Sequence, residues 1–368
     1  MSPVVPSVNS LEIYNMAVNS HFIPQFLLKG FAFRKKGDEY YVHVLRKDGS
    51  RFSSNTKGVA APGNFYGDED IESALSVSET QFANLVRSLR QGNCNIEDKP
   101  QIDRFVAHSL VRTQAFRESV HDIGRTVMRE SFKEYLNPEY TPQLLAKLAE
   151  DALKESPASE LLAAAPPEIR PMLENAMRQM LLAPDMHQLL RQMILPSLDA
   201  IDTRESARSA QRKILESDQH LDKRIDDLAS IRWRVELYEN HSLILGDIGP
   251  LISGDESDEW GRVFHGTPRA VWLPLSDRSL LIGETSGNMT KPNYHEVNIV
   301  SAENSVEFIV ASQQTPREKD YQRQIGTRID RATSEQLSEM KRTVQEYLMS
   351  PSGTLSTDYK EKMSRTIS

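Results

Sequence analysis

At 368 residues, with 39% hydrophobic and 26% charged residues, the chain has the composition of an ordinary folded protein and the length to bury a large core, which excludes a small disulfide scaffold and wholesale disorder. Its net charge of −8 disfavours indiscriminate binding to nucleic-acid backbones. The single cysteine, Cys94, permits no intrachain disulfide, and the longest apolar runs, Leu161–Pro167 and Val271–Leu275, fall far short of the ~20 residues of a membrane helix, so a soluble cytoplasmic protein with no membrane partner is expected.

The opening Met1-Ser2-Pro3 lacks a basic segment followed by an apolar core, so no signal peptide is expected, and residues 1–10 and 350–368 read as frayed ends. From His21 the run through Phe33 predicts a short helix opened near Pro24 and closed at Gly30, docked through Phe26, Leu27 and Phe31. Tyr40–Leu45, aromatic and β-branched between turn residues, reads as a strand, with Arg51–Ser53 returning as its partner in a hairpin. After a loop over Gly58–Asp70, Ile71 to Leu237 is rich in Leu, Ala, Glu, Arg, Gln and Met, which predicts four to six helices broken at Gly92–Pro100, Pro138–Pro142 and Ala165–Pro167. Within Gln101–Tyr135 the residues Ile102, Phe105, Ser109, Arg112, Phe116, Val120, Ile123 and Val127 recur at helical spacing, so that stripe faces a core.

Strand-like runs return at Ser242–Leu245, Arg269–Leu275, Leu280–Ile282 and Val306–Ala311, followed by a helix over Ser334–Tyr347. The expected fold class is α+β: the N-terminal hairpin and the C-terminal strands form a small sheet packed against a large central helical layer. The basic clusters Arg34-Lys35-Lys36 and Arg204–Lys213 read as solvated faces, with a nucleic-acid site the alternative. Met172–Met180 and Met186–Met193 read as core packing, with a dimer face the alternative.

Short motifs close several routes. The chain has no Gly-rich phosphate loop, H-E-x-x-H helix, C-x-x-C pair or G-x-S-x-G elbow. Arg234 and His241, with six residues between them, have the spacing that some helical ribonuclease domains use, but such a pair arises easily by chance among nine histidines. The acidic loop Asp255, Glu256, Asp258, Glu259 lacks the register of an EF-hand and reads as a solvated turn. His108, four residues from both Arg104 and Arg112, reads as a surface or structural histidine.

The stretch His21-Phe-Ile-Pro24-Gln-Phe26-Leu27-Leu-Lys-Gly-Phe31-Ala resembles the opening His-x-x-Pro signature of the family of unknown function DUF4238. In order along the chain, Asn64-Phe65-Tyr66, Ile71-Glu72, Glu79, Leu110-Val-Arg112-Thr113-Gln-Ala-Phe116-Arg117, Asp247, Leu273-Pro274-Leu275-Ser276, Val297-Asn298 and Val306–Val310 extend the resemblance over roughly residues 20–312. At Asp247 the chain departs from the family's Ser-Asp-Asn-Pro element, continuing Ile-Gly-Pro250. The resemblance implies one domain over 21–312 (helix and hairpin 21–70, helical region 71–240, strands 241–312), then a linker and helix over 313–349. It assigns no activity; it implies a setting, since family members occur in bacterial genome regions linked to defence against phage.

Arg112 is a cation on an otherwise apolar stripe, so it needs an acidic partner, and Glu79 and Asp247 are the candidates to meet it, with His21 at the docked N-terminal helix. Two readings stand side by side. His21, Glu79, Arg112 and Asp247 form a catalytic cluster of a phage-defence nuclease or nucleotide hydrolase, the histidine and carboxylates sharing acid–base work or holding a metal, with Arg112 on a phosphate. Alternatively His21 bonds a backbone carbonyl, Asp247 caps a turn, Arg112 makes a structural bridge, and the protein is a non-enzymatic binding or sensor protein. Cofactor, metal and oligomeric state are left open; a phage component or nucleic acid is the partner considered.

Overall fold

The computed structural model describes residues 21–60, 65, 69–135, 157–181, 204–216, 218–254, 260–261, 268–285 and 290–328, with single positions between 183 and 192 and at 338 and 342. The expectations for both chain ends, Asn64, Tyr66, the acidic loop at 255–259, the methionines at 186 and 193 and the helix over 334–347 fall largely or wholly outside these residues.

The N-terminal helix is α1 (Gln25–Leu28), capped by Pro24 and continued by a 3-10 turn through Phe31. Gly30 does not take the left-handed conformation of a C-cap. Its lack of a side chain serves a close approach instead: a Cβ there would run into the Leu275 carbonyl and the Arg90 guanidinium. Arg90 donates to the carbonyls of Phe26 (2.8 Å), Leu27 (3.1 Å) and Leu275 (2.8 Å), tying the N-terminal turn to the later strands. Burial pulls its guanidinium down to about 10, against the opposing effect of Asp277.

The strands β1 (Arg34–Lys36), β2 (Glu39–Arg46) and β3 (Arg51–Asn55) form the expected hairpin with an added edge. Helices α2 (Glu69–Leu89), α3 (Lys99–Arg112), α4 (Gln114–Tyr135), α5 (Pro157–Ala164), α6 (Arg170–Leu181), α7 (Arg204–Glu216) and α8 (Asp218–Asp227) follow. Pro100 sits in the first turn of α3, where its missing N–H costs nothing. The helix expected over Gln101–Tyr135 is two helices. Thr113 between them is extended (φ −72°, ψ 155°), and its hydroxyl accepts the Phe116 N–H (3.1 Å), ending one helix and starting the next.

The helical region ends at Asp227 rather than Leu237, because β4 (Arg232–Leu237) is a strand. Its Trp233 indole donates to Asp103 (2.6 Å), whose carboxylate also takes the Lys99 ammonium (2.8 Å), so α3 and β4 are locked together. Then come β5 (Leu245–Gly246), β6 (Leu251–Ser253), β7 (Trp260–Gly261), β8 (Ala270–Pro274) and β9 (Ser279–Glu284), α9 (Tyr294–Asn304), β10 (Phe308–Ala311) and α10 (Pro316–Gln324). The strand expected over Ser242–Leu245 shrinks to β5, and α9 and α10 lie where the pattern gave only strands and a linker.

The fold is α+β, and the described residues form two five-stranded antiparallel sheets where one small sheet was expected. The first has the order β1-β2-β10-β5 with β3 also on β2, so the N-terminal hairpin and a C-terminal strand share a sheet through pairs such as Leu45 with Ile309. The second has the order β4-β9-β8-β6-β7. The main core draws on both sheets and on α1 to α3, through Val42, Val310, Leu281, Trp272, Leu27, Leu89 and Phe105. On the other face of the first sheet, Leu45, Ile309 and Ala311 pack under Ala302 of α9, Tyr321 of α10 and Ile325 just after α10. The stripe residues Ile102, Phe105, Ser109, Arg112 and Phe116 are all buried. Met172 and Met180 are not core residues: they stand 69% and 61% exposed on α6.

Candidate functional site

Arg112 ends α3 and is only 3% exposed. One guanidinium nitrogen donates to the His21 carbonyl (2.6 Å) and to Glu79 on α2 (2.7 Å), so Glu79 supplies the acid that a cation on this stripe requires. The His21 ring points elsewhere, its Nε2 donating to the Lys57 carbonyl (3.1 Å). His21 therefore joins the cluster through its backbone.

Asp247 is fully buried in the turn after β5. Its carboxylate oxygens accept the N–H groups of Val306 (2.7 Å), Glu307 (2.6 Å) and Phe308 (3.0 Å), holding the start of β10 against the turn. Charge-assisted bonds of this type are the strong ones. Gly249 (φ 74°) brings the same turn onto α3, where a Cβ would lie 3.3 Å from the Thr113 side chain and 3.4 Å from the Ser109 carbonyl. Sequence reasoning missed the residues that complete this junction. Gln211, fully buried on α7, donates to the carbonyls of Val111 (2.7 Å) and Thr113 (3.1 Å) and accepts from Arg117 (2.8 Å), whose guanidinium lies 3.8 Å from the Phe65 ring centre. The run Thr113 to Arg117 held part of the signal, in Thr113 and Arg117 on either side of the buried Ala115 and Phe116.

Other singled-out residues go to packing. His108 is buried with its ring edge-on to Phe82, 5.4 Å between centres. Arg234 lies on β4 with its guanidinium on Glu284 (2.8 Å) and Glu236. Burial, then the Asp98 charge, pushes the Cys94 thiol up and away from a reactive thiolate. Among the described residues no group of three or more His, Cys, Asp or Glu is arranged to hold a metal ion, and no helix is long and apolar enough to cross a membrane.

Polar side chains meet open space elsewhere. A cleft of about 680 Å³ lies between the segment after β4, the β8–β9 turn and the N-terminal ends of α9 and α10, lined among others by His241, Asp277, Arg278, Tyr294, Arg317 and Tyr321. The His241 ring stacks on Tyr294, 3.9 Å apart and 5° from parallel, and Arg317 donates to the Tyr294 hydroxyl (2.7 Å). Asp277 accepts from Ser312 (3.0 Å), and His295 and Tyr321 share a hydrogen bond of 2.7 Å. An adjoining cleft of about 540 Å³ shares His241 and Tyr294 and adds Lys291, whose ammonium lies 4.4 Å over the Tyr238 ring. Burial, then Glu236, pushes the Tyr238 hydroxyl up to about 12, so it stays protonated and donates to the Pro292 carbonyl (2.7 Å).

The wall is set by two local devices. Buried Asn298 accepts the Ile244 N–H (3.0 Å) and donates to the Ser242 carbonyl (2.9 Å), fixing the segment that carries His241. Thr315 and Glu318 form a capping box that starts α10 and aims Arg317 at the cleft rim. The T-x-x-E pattern with Pro316 at the first helical position was the legible signal for that helix.

These features define an α+β protein with two antiparallel sheets, a closed polar junction at the end of α3 and an open cleft walled by rings and charges. The chain belongs to the protein family of unknown function DUF4238, whose family model matches residues 19–343 of the 368. The match runs beyond residue 312 and so takes in α10, one wall of the cleft. Comparison with curated proteins and with solved structures gives no match.

Proposed function

We propose that the chain acts as a binding or sensor protein, in the defence setting that the family resemblance implies, and that its ligand is an anion carrying a flat ring, such as a nucleotide. The observation that carries this reading is the parallel His241–Tyr294 stack at the rim of the 680 Å³ cleft, with Arg317 on the Tyr294 hydroxyl. Rings offer a stacking surface to a base, Arg278, Arg317 and Lys291 offer charge to a phosphate, and the volume is that of an ordinary small-molecule site. Glu239, Asp277 and Glu318 lie in the same lining and favour a ligand that also carries donors, such as an exocyclic amine or a ribose hydroxyl.

The hydrolase reading centred on His21, Glu79, Arg112 and Asp247 is the less favoured proposal. The Asp247 carboxylate accepts three backbone amides, the Arg112 guanidinium clamps a backbone carbonyl, and the His21 ring bonds another. Titration calorimetry of the full chain with nucleoside mono-, di- and triphosphates tests the binding reading, with product analysis of the same mixtures. The expected result is saturable binding weakened about tenfold or more by His241→Ala and by Arg317→Ala. No heat with any nucleotide rejects the reading; turnover that vanishes in a folded Asp247→Asn or His21→Gln variant establishes the hydrolase instead.

A further inference from the structure

A different surface carries an inference independent of the cleft. At the β1 edge of the first sheet, rings and cations alternate over a short stretch of chain. Phe33, 38% exposed just before β1, stacks on His43 of β2 with ring centres 4.0 Å apart and planes 6° from parallel. The Arg34 guanidinium lies between two rings, 4.6 Å from the centre of Tyr41 and 5.8 Å from that of Phe33. Lys29 and Lys35 lie over Tyr40 at 5.3 and 5.2 Å. All three residues of β1 are exposed.

We propose that this edge binds single-stranded nucleic acid. Cations on an edge strand also keep strands of other molecules from pairing, and lysines alone suffice for that. Phe33 adds nothing to edge protection, and with one face stacked on His43 it is held flat with 38% of its surface open. It gains a role if a base stacks on it. Interleaved rings and cations are what an unpaired strand needs, because each base offers a flat face and each linkage a negative charge, whereas bases in a duplex are already stacked on each other.

Charge complementarity supports the choice of partner. Residues 29–41 carry Lys29, Arg34, Lys35 and Lys36 against Asp38 and Glu39, in a chain whose net charge is −8. Glu39 is engaged internally, accepting the Tyr41 hydroxyl (2.6 Å). The tip is thus a local positive surface on an acidic protein, and an anionic partner is steered to it.

The test is fluorescence anisotropy of the full chain with a labelled oligouridylate or oligothymidylate of about ten nucleotides at low salt, beside a duplex of the same length. Binding should weaken as salt rises and be weaker for the duplex. Phe33→Ala should lower the affinity about tenfold or more, Phe33→Trp should restore it, and Arg34→Gln with Lys36→Gln should flatten the salt dependence. Because β1 is exposed, the Arg34 and Lys36 variants should keep the wild-type thermal midpoint, and Phe33→Ala, which gives up its stack on His43, should lower it only slightly while Phe33→Trp holds it, which separates lost binding from lost folding. No binding at low salt, equal binding of the duplex, or binding unchanged both in Phe33→Ala and in the chain with Arg34→Gln and Lys36→Gln overturns the assignment; in the last case the strand is held elsewhere on the molecule.

Discussion

The junction at the end of α3 and the cleft beside α10 are built from the same residue types, yet their polar groups have opposite fates. At the junction Arg112, Asp247 and Gln211 are buried, and most of their bonds go to backbone groups far away in sequence. At the cleft His241, Arg278 and Arg317 bond to one another's surroundings sparingly and line open volume. A charged side chain inside an apolar stripe therefore marks where chain segments are fastened together as readily as where chemistry occurs. The distinction rests on what the polar atoms face, since a buried backbone donor or acceptor must be satisfied before anything else can be.

The comparison breaks most visibly at Asp247. Asp247→Ala strips the acceptor from three amides at the start of β10 and should destabilise the chain by about 4 kcal/mol, read from urea unfolding. Arg112→Met should cost about 3 kcal/mol, because it frees the His21 carbonyl and leaves Glu79 without its cation. Glu79→Gln should cost about 2 kcal/mol, less than Arg112→Met, since the amide oxygen still accepts from the buried Arg112 guanidinium but no longer supplies its counter-charge. If Arg112→Met and Asp247→Ala left stability unchanged, the junction would not be the fastening described.

On the cleft side, His241→Ala should change stability by no more than about 0.5 kcal/mol while weakening ligand binding, the reverse of the junction variants. A loss of stability as large as that of Arg112→Met would make the His241–Tyr294 stack a packing feature. The smallest expected effect is in pH. Burial pushes the His43 imidazole below its usual 6.5, against the raising effect of Glu318. The unfolded chain then binds that proton more readily, so the contribution of His43 is full above about 6.5 and is lost as the pH falls from there through the lowered folded value. Urea midpoints measured across that window should fall less in His43→Gln than in the wild type.

Several elements were legible because their signals are local. Pro24 and the aromatic run placed α1, turn residues bracketed β2, and the three- and four-residue spacing of Ile102, Phe105, Ser109, Arg112 and Phe116 identified the buried side of α3 and α4. The break at Thr113 was hidden because that apolar spacing continues across it. Trp233 and Val235 of β4 sit beside the helix-forming residues of α8, and only pairing with β9 makes the segment a strand. Helix α9 escaped because it buries Asn298, Ser301 and Asn304 along with its apolar residues, which leaves no clean stripe.

The sequence by itself determined the α+β class, the hairpin, the stripe of α3 and the need of Arg112 for an acid, because composition, turn chemistry and helical periodicity act over a few residues. Only the tertiary structure decided that two sheets form, that Asp247 is bound by amides 59 to 61 residues further on, and that His241 meets Tyr294 and Arg317 at a cleft. Those outcomes depend on which distant backbone groups are brought within hydrogen-bonding reach, and no local pattern encodes that distance.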